Sequence, residues 1–244
     1  MKSKIVAFII LSIFFSISTI SVGEILFKDN FEDDVIDKPP KKWMVGFQGK
    51  DDSKVIWDPK LVKNKVFSSP TARHDVKGAV YITGKGKDWT DYYVQWDMLY
   101  PIDFYMGIVF RFTGGESFYL LDRRQPTKTL QFWKRQGGWK SFGSSEALGL
   151  EIEKWWSFQL KVSGNDFEVK MKDSKKKTKF ANLKPVLEGS NGEFKKGDFG
   201  NYGHVILDNV VVATKPSDFS NPWDVSPENS IVTTWSHIKQ RHRN

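Results

Sequence analysis

The feature that most constrains the fold is the segment 92–135, where apolar and polar residues alternate over four short runs, each broken by a turn. In the first run, YYVQWDM, the residues Val94, Trp96 and Met98 share one side of an extended chain. Asp97 falls on the opposite side. A β-strand has this alternation when one face is buried and the other meets solvent or a ligand. The segment therefore predicts four antiparallel strands.

The other three runs, GIVFRF, SFYLL and LQFWKR, continue the pattern. If the four strands are neighbours, their polar sides form one shared face, which we predict to be the ligand-binding face. Its predicted members are Asp97, Arg111, Tyr119, Gln131, Trp133 and Arg135. Aromatic rings stack on the apolar faces of sugars, and a planar guanidinium bonds to hydroxyl groups. Two alternatives stay open: Asp97 pairs with Arg111 without binding a ligand, or a loop covers Trp133.

The rest of the chain also favours strands. WWSFQLKV and FEVKMK alternate around a Gly164-Asn165 turn, and HVILDNVVVAT is the last predicted strand. Aromatic residues make up 15% of the chain, which is typical of strands. Short strands with turn signals and no helical period indicate an all-β antiparallel sandwich or barrel. Because terminal strands need partners, we expect residues 25–30 to lie near residues 205–213.

The N-terminus, residues 1–23, predicts a cleaved signal peptide. Lys2 and Lys4 precede an uncharged run, IVAFIILSIFFSI, which is short for a membrane span. Ser21 and Gly23 provide the small residues expected before a cleavage point. A retained anchor is the alternative. Cleavage would leave a secreted, periplasmic or cell-envelope protein.

The formal net charge of +8 suits an anionic partner such as an acidic polysaccharide, an anionic surface or a nucleic acid. The lysines are interleaved with acids, however, and export argues against nucleic acid. The densest basic run, Lys175–Lys177, is interpreted as a solvated loop. The sequence has no cysteine, which excludes disulfides, thiol catalysis and zinc–thiolate sites.

From residue 215 onward the chain becomes a polar, proline-punctuated linker. Ser226, Pro227 and Glu228 predict the start of a helix. Its apolar side would consist of Ile231, Trp235 and Ile238. We expect a short amphipathic helix over 230–242 that docks on the domain or binds a protein partner. A frayed terminus without a role is the alternative.

The order of these segments resembles the concanavalin A-like lectin/glucanase superfamily, in its laminin-G-like and bacterial 3-keto-disaccharide-hydrolase-like branches. The resemblance runs from FKDNFEDD through YYVQWDM, GIVFRF and SFYLL to WWSFQLKVSGNDFEVKM and VILDNVVV. It implies a jelly-roll of two antiparallel sheets over residues 24–214, with carbohydrate often bound on the concave sheet or its rim loops. The tail, residues 215–244, lies outside the resemblance.

The sequence gives little support to catalysis. Glucanases of this superfamily carry a Glu-x-Asp-x-x-Glu strand motif, which is absent here. Retaining cleavage of a glycoside needs two carboxyl groups about 5–5.5 Å apart. If the protein is an enzyme, Asp97 with Asp122 or Glu116 is the nearest candidate pair. There is no Gly-x-Ser-x-Gly elbow, and the four histidines have no metal-like spacing.

The resemblance also implies a structural calcium ion that ties the N-terminal segment to the last strand. Calcium prefers several oxygen ligands, and Asp29, Glu32 and Asp208 match the expected positions. The alternative is that Asp29 caps a turn and Asp208 forms ordinary hydrogen bonds.

The leading hypothesis is therefore a secreted, non-catalytic jelly-roll domain that binds a glycan or another extracellular ligand. Two other hypotheses stay open. One is a glycoside-active hydrolase that uses Asp97 and a loop acid. The other is a structural or adhesive envelope protein that docks through the Trp235 helix.

Overall fold

A computed structural model describes residues 23–47, 53–61, 63–69, 80–220 and 222. Over these ranges the chain is an all-β jelly-roll sandwich of two antiparallel sheets, with eight and seven strands, as predicted from the sequence. The predicted signal peptide and the predicted helix over 230–242 lie outside the described residues. Within the described ranges, no helix combines the length and apolarity that crossing a membrane requires.

The strands are numbered in chain order and divide between the two sheets. The eight-stranded sheet contains β1 (Ile25–Asp29), β3 (Lys54–Trp57), β4 (Lys65–Ser68), β6 (Tyr92–Leu99), β11 (Trp155–Ser163), β12 (Asp166–Asp173), β13 (Leu187–Ser190) and β15 (Ile206–Ala213). The seven-stranded sheet contains β2 (Met44–Phe47), β5 (Val80–Ile82), β7 (Met106–Gly114), β8 (Ser117–Arg124), β9 (Thr129–Arg135), β10 (Trp139–Ser144) and β14 (Asp198–Tyr202). Two short 3₁₀ helices are η1 (Phe180–Asn182) and η2 (Pro216–Phe219).

The eight-stranded sheet has the order β13-β12-β11-β6-β15-β4-β3, and β1 also pairs with β15. Ile25 lies opposite Ala213, and Asp29 lies opposite Val210. This pairing confirms the predicted proximity of the N-terminal and last strands. The seven-stranded sheet has the order β10-β9-β8-β7-β14-β5-β2, so the chain passes through β7 to β10 as consecutive hairpins.

The main core lies between the sheets and follows the predicted alternation. On β6, Val94, Trp96 and Met98 are buried in this core. The Trp96 ring stacks on Phe158 of β11, with centroids 5.2 Å apart and planes at 10°. Burying one large apolar side chain contributes about 1.5–3 kcal/mol to stability, so these inward rows hold the two sheets together.

Strand β7 departs from the predicted alternation at Arg111. Its register with β8 shifts between Phe110 and Gly114, and Arg111 has a φ of 47°. This left-handed conformation is uncommon for a residue other than glycine. The resulting β-bulge turns Phe110 and Arg111 to the same inner side, while Phe112 joins a cluster on the outer side.

Candidate functional site

The six residues predicted to share one ligand-binding face lie in three different places. Asp97 belongs to β6 in the eight-stranded sheet, whereas the other five belong to the seven-stranded sheet. Arg111 and Tyr119 are buried and point into the core. The prediction of one shared face is therefore wrong for Asp97, Arg111 and Tyr119. The remaining three lie on the outward side of the seven-stranded sheet, as predicted: Gln131, Trp133 and Arg135.

Arg111 is an interior residue, with only 1% of its surface exposed. Its Nη1 donates to the Phe194 carbonyl oxygen at 2.7 Å, and its Nη2 donates to the Thr90 carbonyl oxygen at 2.8 Å. The predicted ion pair with Asp97 is wrong, because the carboxylate beside Arg111 is Asp91, at 3.8 Å. Arg111 thus fixes two backbone segments and is not available to a surface ligand.

Tyr119 has a similar interior role. Its hydroxyl accepts a hydrogen bond from the Phe194 backbone N–H at 2.9 Å and donates to the Asn191 side-chain oxygen at 2.8 Å. On β8 it is Leu120, not Tyr119, that lies opposite Trp133, and residues paired in this way share a face. The outward residues of β8 are therefore Phe118, Leu120, Asp122 and Arg124.

A second apolar cluster occupies the outward side of the seven-stranded sheet. Its buried members are Val80, Ile82, Val109, Phe112, Phe118, Leu120 and Tyr202, with Phe47 and Trp133 packed against them. The outward side of an antiparallel sheet is commonly solvated and polar, so an aromatic cluster there needs a reason. Large apolar patches rimmed by polar groups often mark binding sites. We call this surface the aromatic face and define it by Phe118, Trp133, Trp139 and Tyr202.

Trp139 is the exposed ring of the aromatic face, with 43% of its surface open. Its centroid lies 5.9 Å from Tyr202, 5.9 Å from Phe118 and 6.5 Å from Trp133. Trp139 and Tyr202 come from β10 and β14, which at the usual strand spacing would lie about 19 Å apart in a flat sheet. The two side chains therefore lean towards each other and cover Phe118.

Two guanidinium groups lie over the rings of the aromatic face. The Arg135 guanidinium is 5.0 Å from the Trp139 ring and pairs with Glu116 at 2.6 Å. The Arg124 guanidinium is 4.7 Å from the Trp133 ring. Cation–π contacts of this kind hold both partners in place, so the arginines orient the tryptophans and present N–H donors at the edge of the face.

Asp122 supplies a buried carboxylate at this face. It is 2% exposed, and its Oδ2 accepts from Arg124 at 3.0 Å. Burial raises the pKa of Asp122 to about 6, against the lowering effect of Arg124. Its Oδ1 and the Nε1 of Trp133 are buried and form no hydrogen bond of ordinary geometry among the described residues, but hydrogen bonding from Trp133 also lowers the pKa of Asp122, so the two groups face each other. Buried polar atoms are nearly always paired, and we therefore assign these two to each other, while Asp122 acts on the face by holding Arg124.

The sequence reasoning missed Asp122 and Arg124 as members of a binding face, and it missed Trp139 and Tyr202 altogether. Asp122 and Arg124 lie on the same side of β8 as Leu120. The prediction placed Tyr119 on the outward side of this strand and therefore concealed both residues. Trp139 lies opposite Arg135 across the turn after β9. The Gly137-Gly138 turn could have placed Trp139 there, since a tight hairpin sets the register of its strands.

The predicted catalytic pair is not assembled. Asp97 lies on the eight-stranded sheet, whereas Asp122 and Glu116 belong to the seven-stranded sheet and its hairpin. Asp122 and Glu116 each bind an arginine instead. The pairing of Asp97 with either acid, proposed from the sequence, is therefore wrong.

Asp97 faces a groove on the outward side of the eight-stranded sheet. Its Oδ1 accepts from the Ser157 hydroxyl, and its Oδ2 accepts from Asn209 Nδ2 at 2.9 Å. Burial raises the pKa of Asp97. Asp208 lies directly opposite it on β15, and burial raises the pKa of Asp208 to about 7. Asn209 Nδ2 also contacts Asp208 Oδ2, at 3.3 Å, so one amide group serves both acids.

The carboxylates predicted to bind calcium are engaged by protein donors. Asp29 accepts from Trp43 Nε1 at 2.9 Å, and Glu32 accepts from the Lys65 backbone N–H at 3.0 Å. Asp208 accepts from Asn64 Nδ2 at 2.9 Å. Across the described part of the chain, no group of three or more His, Cys, Asp or Glu side chains is placed to hold a metal ion. Asp29, Glu32 and Asp208 therefore do not form one ligand cluster, and calcium binding stays a prediction.

Comparison with known proteins supports the fold. No protein-family model and no curated protein matches the chain. It is similar to a Bacillus subtilis protein of unknown function with a galectin-like fold, with a TM-score of 0.53 and 14% identity over 77% of this chain and 94% of that one. It is also similar to domain 4 of AbnA, an extracellular GH43 arabinanase from Geobacillus stearothermophilus, solved in complex with arabinotriose. That TM-score is 0.50, with 10% identity over 80% of this chain and 96% of that one.

A third similar structure is the exoplasmic/lumenal domain of VIP36 in a Ca²⁺-bound form, with a TM-score of 0.51 and 8% identity over 78% of this chain and 90% of that one. Identities this low establish the fold alone. The three similar structures are consistent with the concanavalin A-like sandwich. The laminin-G-like and 3-keto-disaccharide-hydrolase-like branches stay predictions.

Proposed function

We propose that this protein binds carbohydrate on the aromatic face of its seven-stranded sheet and does so without catalysis. The observation that carries the proposal is the combination of an exposed Trp139, two guanidinium groups and the Gln131 amide on one outward face. Apolar rings alone would suit many ligands. The donors and acceptors beside them suit a ligand that has both apolar ring faces and hydroxyl groups, which is the chemistry of a sugar.

Each group of the site has a distinct role in this proposal. Trp139 stacks on the apolar face of a sugar ring. The Gln131 amide donates to and accepts from hydroxyl groups, and the buried Asp122 holds Arg124 in position. Arg124 and Arg135 donate through their outer N–H groups, because a planar guanidinium suits pairs of neighbouring oxygens.

Two further considerations support a glycan ligand. One of the similar structures is a domain of an extracellular arabinanase in complex with arabinotriose. The N-terminal residues of this chain also predict export, and a secreted or envelope-associated domain would meet polysaccharides. We therefore expect the natural ligand to be an extracellular glycan, and arabinotriose is a reasonable first probe.

The experiment is calorimetric titration with arabinotriose and with matched xylose, glucose and galactose trimers. We expect Trp139→Ala to weaken the best ligand by about tenfold or more, since stacking on an aromatic ring contributes roughly 1–2 kcal/mol. Trp57→Ala is the matched control, because Trp57 is 52% exposed but lies on β3 of the opposite sheet. Equal losses in both variants, or no binding to any neutral trimer at millimolar concentration, would contradict the proposal.

A further inference from the structure

The groove on the outward side of the eight-stranded sheet is a large concavity, on the side of the sandwich opposite the aromatic face. Its volume is about 740 Å³, within the range of about 300–1,000 Å³ that is usual for ligand sites. Strands β6, β11, β12 and β15 form its floor. One wall is the segment 177–181, and the other consists of residues of η2 together with Ser220 and Pro222.

The groove carries a marked excess of positive charge. Its cationic members are Lys161, Lys170, Lys172, Lys177 and Lys179, and its carboxylates are Asp97 and Glu168. Glu168 pairs with Lys161 at 2.5 Å. Burial raises the pKa of Asp97 and so opposes its negative charge. The charges of the other lysines are therefore largely uncompensated within the groove.

Two of these lysines are held in position by the backbone. Lys170 Nζ donates to the Phe180 carbonyl oxygen at 3.1 Å, and Lys172 Nζ donates to the Thr178 carbonyl oxygen at 2.8 Å. Hydrogen bonds to neutral carbonyls orient an ammonium group without neutralising its charge. The two cations thus stand along β12 beside the wall and can attract an anion without losing these bonds.

The floor also offers groups that recognise hydroxyls. Gln95 and Gln159 lie opposite each other on β6 and β11, and both line the groove. Tyr93 and Phe219 add aromatic rings at its sides. Amide groups donate and accept at once, so they match sugar hydroxyls, while the lysines add a requirement for negative charge that the aromatic face does not have.

We propose that this groove is a second ligand site, which takes an anionic saccharide whose rings carry carboxylate groups. The carboxylates pair with the lysines of β12 and of the wall, the glutamines bond hydroxyls, and the aromatic side chains contact ring faces. The two sites lie on opposite sides of the sandwich and recognise different chemistry. One molecule can therefore bind a neutral and an acidic glycan at the same time.

The test uses trimers of galacturonic, glucuronic and mannuronic acid, with neutral galactotriose as the uncharged match. The comparison is made in the Trp139→Ala variant, which weakens the aromatic face, and there we expect at least one uronate trimer to bind more tightly than galactotriose at low salt. We expect Lys177→Glu with Lys179→Glu to weaken that binding by about tenfold. The matched control is Lys175→Glu with Lys176→Glu, which makes the same charge change in the same loop on exposed residues that do not line the groove. Its effect should stay within about twofold once salt screens distant charges.

A second variant, Gln95→Trp, fills the floor without changing the charge and should abolish uronate binding. Trp139→Ala should leave uronate binding unchanged, so the failure of the aromatic-face proposal and the failure of this one are distinguishable. The proposal is overturned if none of the uronate trimers binds at millimolar concentration or if galactotriose binds the Trp139→Ala variant equally well. It is also overturned if the Lys175/Lys176 variant weakens binding as much as the Lys177/Lys179 variant.

Discussion

The two outward faces of the sandwich have opposite chemistry although both belong to antiparallel sheets of similar size. The seven-stranded sheet turns aromatic rings outward, and these rings cover one another so well that Phe118 is buried. The eight-stranded sheet turns out lysines, glutamines and acids that line an open groove. Its own outward apolar cluster contains only Val66, Leu99 and Ile206 as buried members among the described residues.

This difference shows what a two-layer sandwich leaves free. Folding requires apolar side chains on the two inner faces only, since those faces pack against each other. The outer faces can then specialise, one as a largely dehydrated aromatic surface and the other as a wet, charged one. The aromatic face also contributes to stability, because burying a side chain such as Phe118 is worth about 1.5–3 kcal/mol. Binding and stability are therefore harder to separate there than in the groove.

The largest expected effect is on the free energy of unfolding, and it distinguishes the inner side of the seven-stranded sheet from its aromatic face. Arg111→Ala removes both hydrogen bonds to the buried carbonyls of Phe194 and Thr90 and should lower the free energy of unfolding by about 3 kcal/mol or more. Arg135→Ala removes a partly exposed ion pair and should cost less than about 1 kcal/mol. Urea unfolding measures both. Equal losses of unfolding free energy in the two variants would mean that Arg111 and Arg135 are wrongly assigned to the interior and to the aromatic face.

The next effect is the pH dependence of stability that we expect from Asp208 on the eight-stranded sheet. Burial raises the pKa of Asp208 from 3.8 to about 7, although hydrogen bonds from Asn64 and Asn209 act against this, and Asp97 and Glu32 repel its charge. The folded state therefore binds a proton more tightly than the unfolded state. The stability from this group is complete below about pH 4 and is lost as the pH rises to about 7 and beyond.

We expect Asp208→Asn to raise the free energy of unfolding at pH 8 by about 2–4 kcal/mol relative to its effect at pH 4. Urea unfolding across this range measures it. Asp173→Asn is the control, because the Lys175 backbone N–H and Lys154 hold the pKa of Asp173 below its usual value, so its effect should have the opposite sign. A pH-independent effect of Asp208→Asn would show that this acid is solvated in the folded state.

Much of this fold could be predicted from alternation alone. The inward rows of β6 and β11 and the outward Gln131, Trp133 and Arg135 of β9 all follow the two-residue period. The pairing of the first and last strands followed from the need to cover sheet edges. These predictions succeed because the two-residue alternation of a half-buried strand can be recognised without knowing which strand it pairs with.

The candidate site was less predictable for three physical reasons. Alternation says which residues share a side of a strand but not which sheet the strand enters, so Asp97 was grouped with strands of the other sheet. It also fails at a bulge, and nothing in the residues GIVFRF indicates that Arg111 adopts a positive φ. The error in β8 has a third origin: when both sides of a strand are apolar, parity alone does not identify the inner side.

A smaller effect tests the acid at the aromatic face. Burial raises the pKa of Asp122 to about 6, so its carboxylate is fully ionised only above that pH. If ionised Asp122 holds Arg124 in position for a sugar, affinity for the best neutral trimer should rise by about threefold to tenfold from pH 5 to pH 7. Calorimetric titration measures this change. Asp122→Asn should bind more weakly at pH 7 and lose the pH dependence, and a pH profile that survives in the variant would contradict the role of Asp122.

The smallest effect concerns the solvation of the groove. Lys161 and Glu168 form an ion pair on neighbouring strands, and each keeps about a third of its side chain exposed, at 34% and 30%. For a wet pair, a double-mutant cycle with Lys161→Ala and Glu168→Ala should give a coupling energy of about 0.2–1 kcal/mol, which falls further in 1 M NaCl. A salt-insensitive coupling of about 3 kcal/mol, as expected for a desolvated pair, would show that the groove is as dry as the aromatic face. In that case the two faces would differ in charge but not in hydration. The uncompensated lysines would then lower the stability of the fold more than they would in a solvated groove.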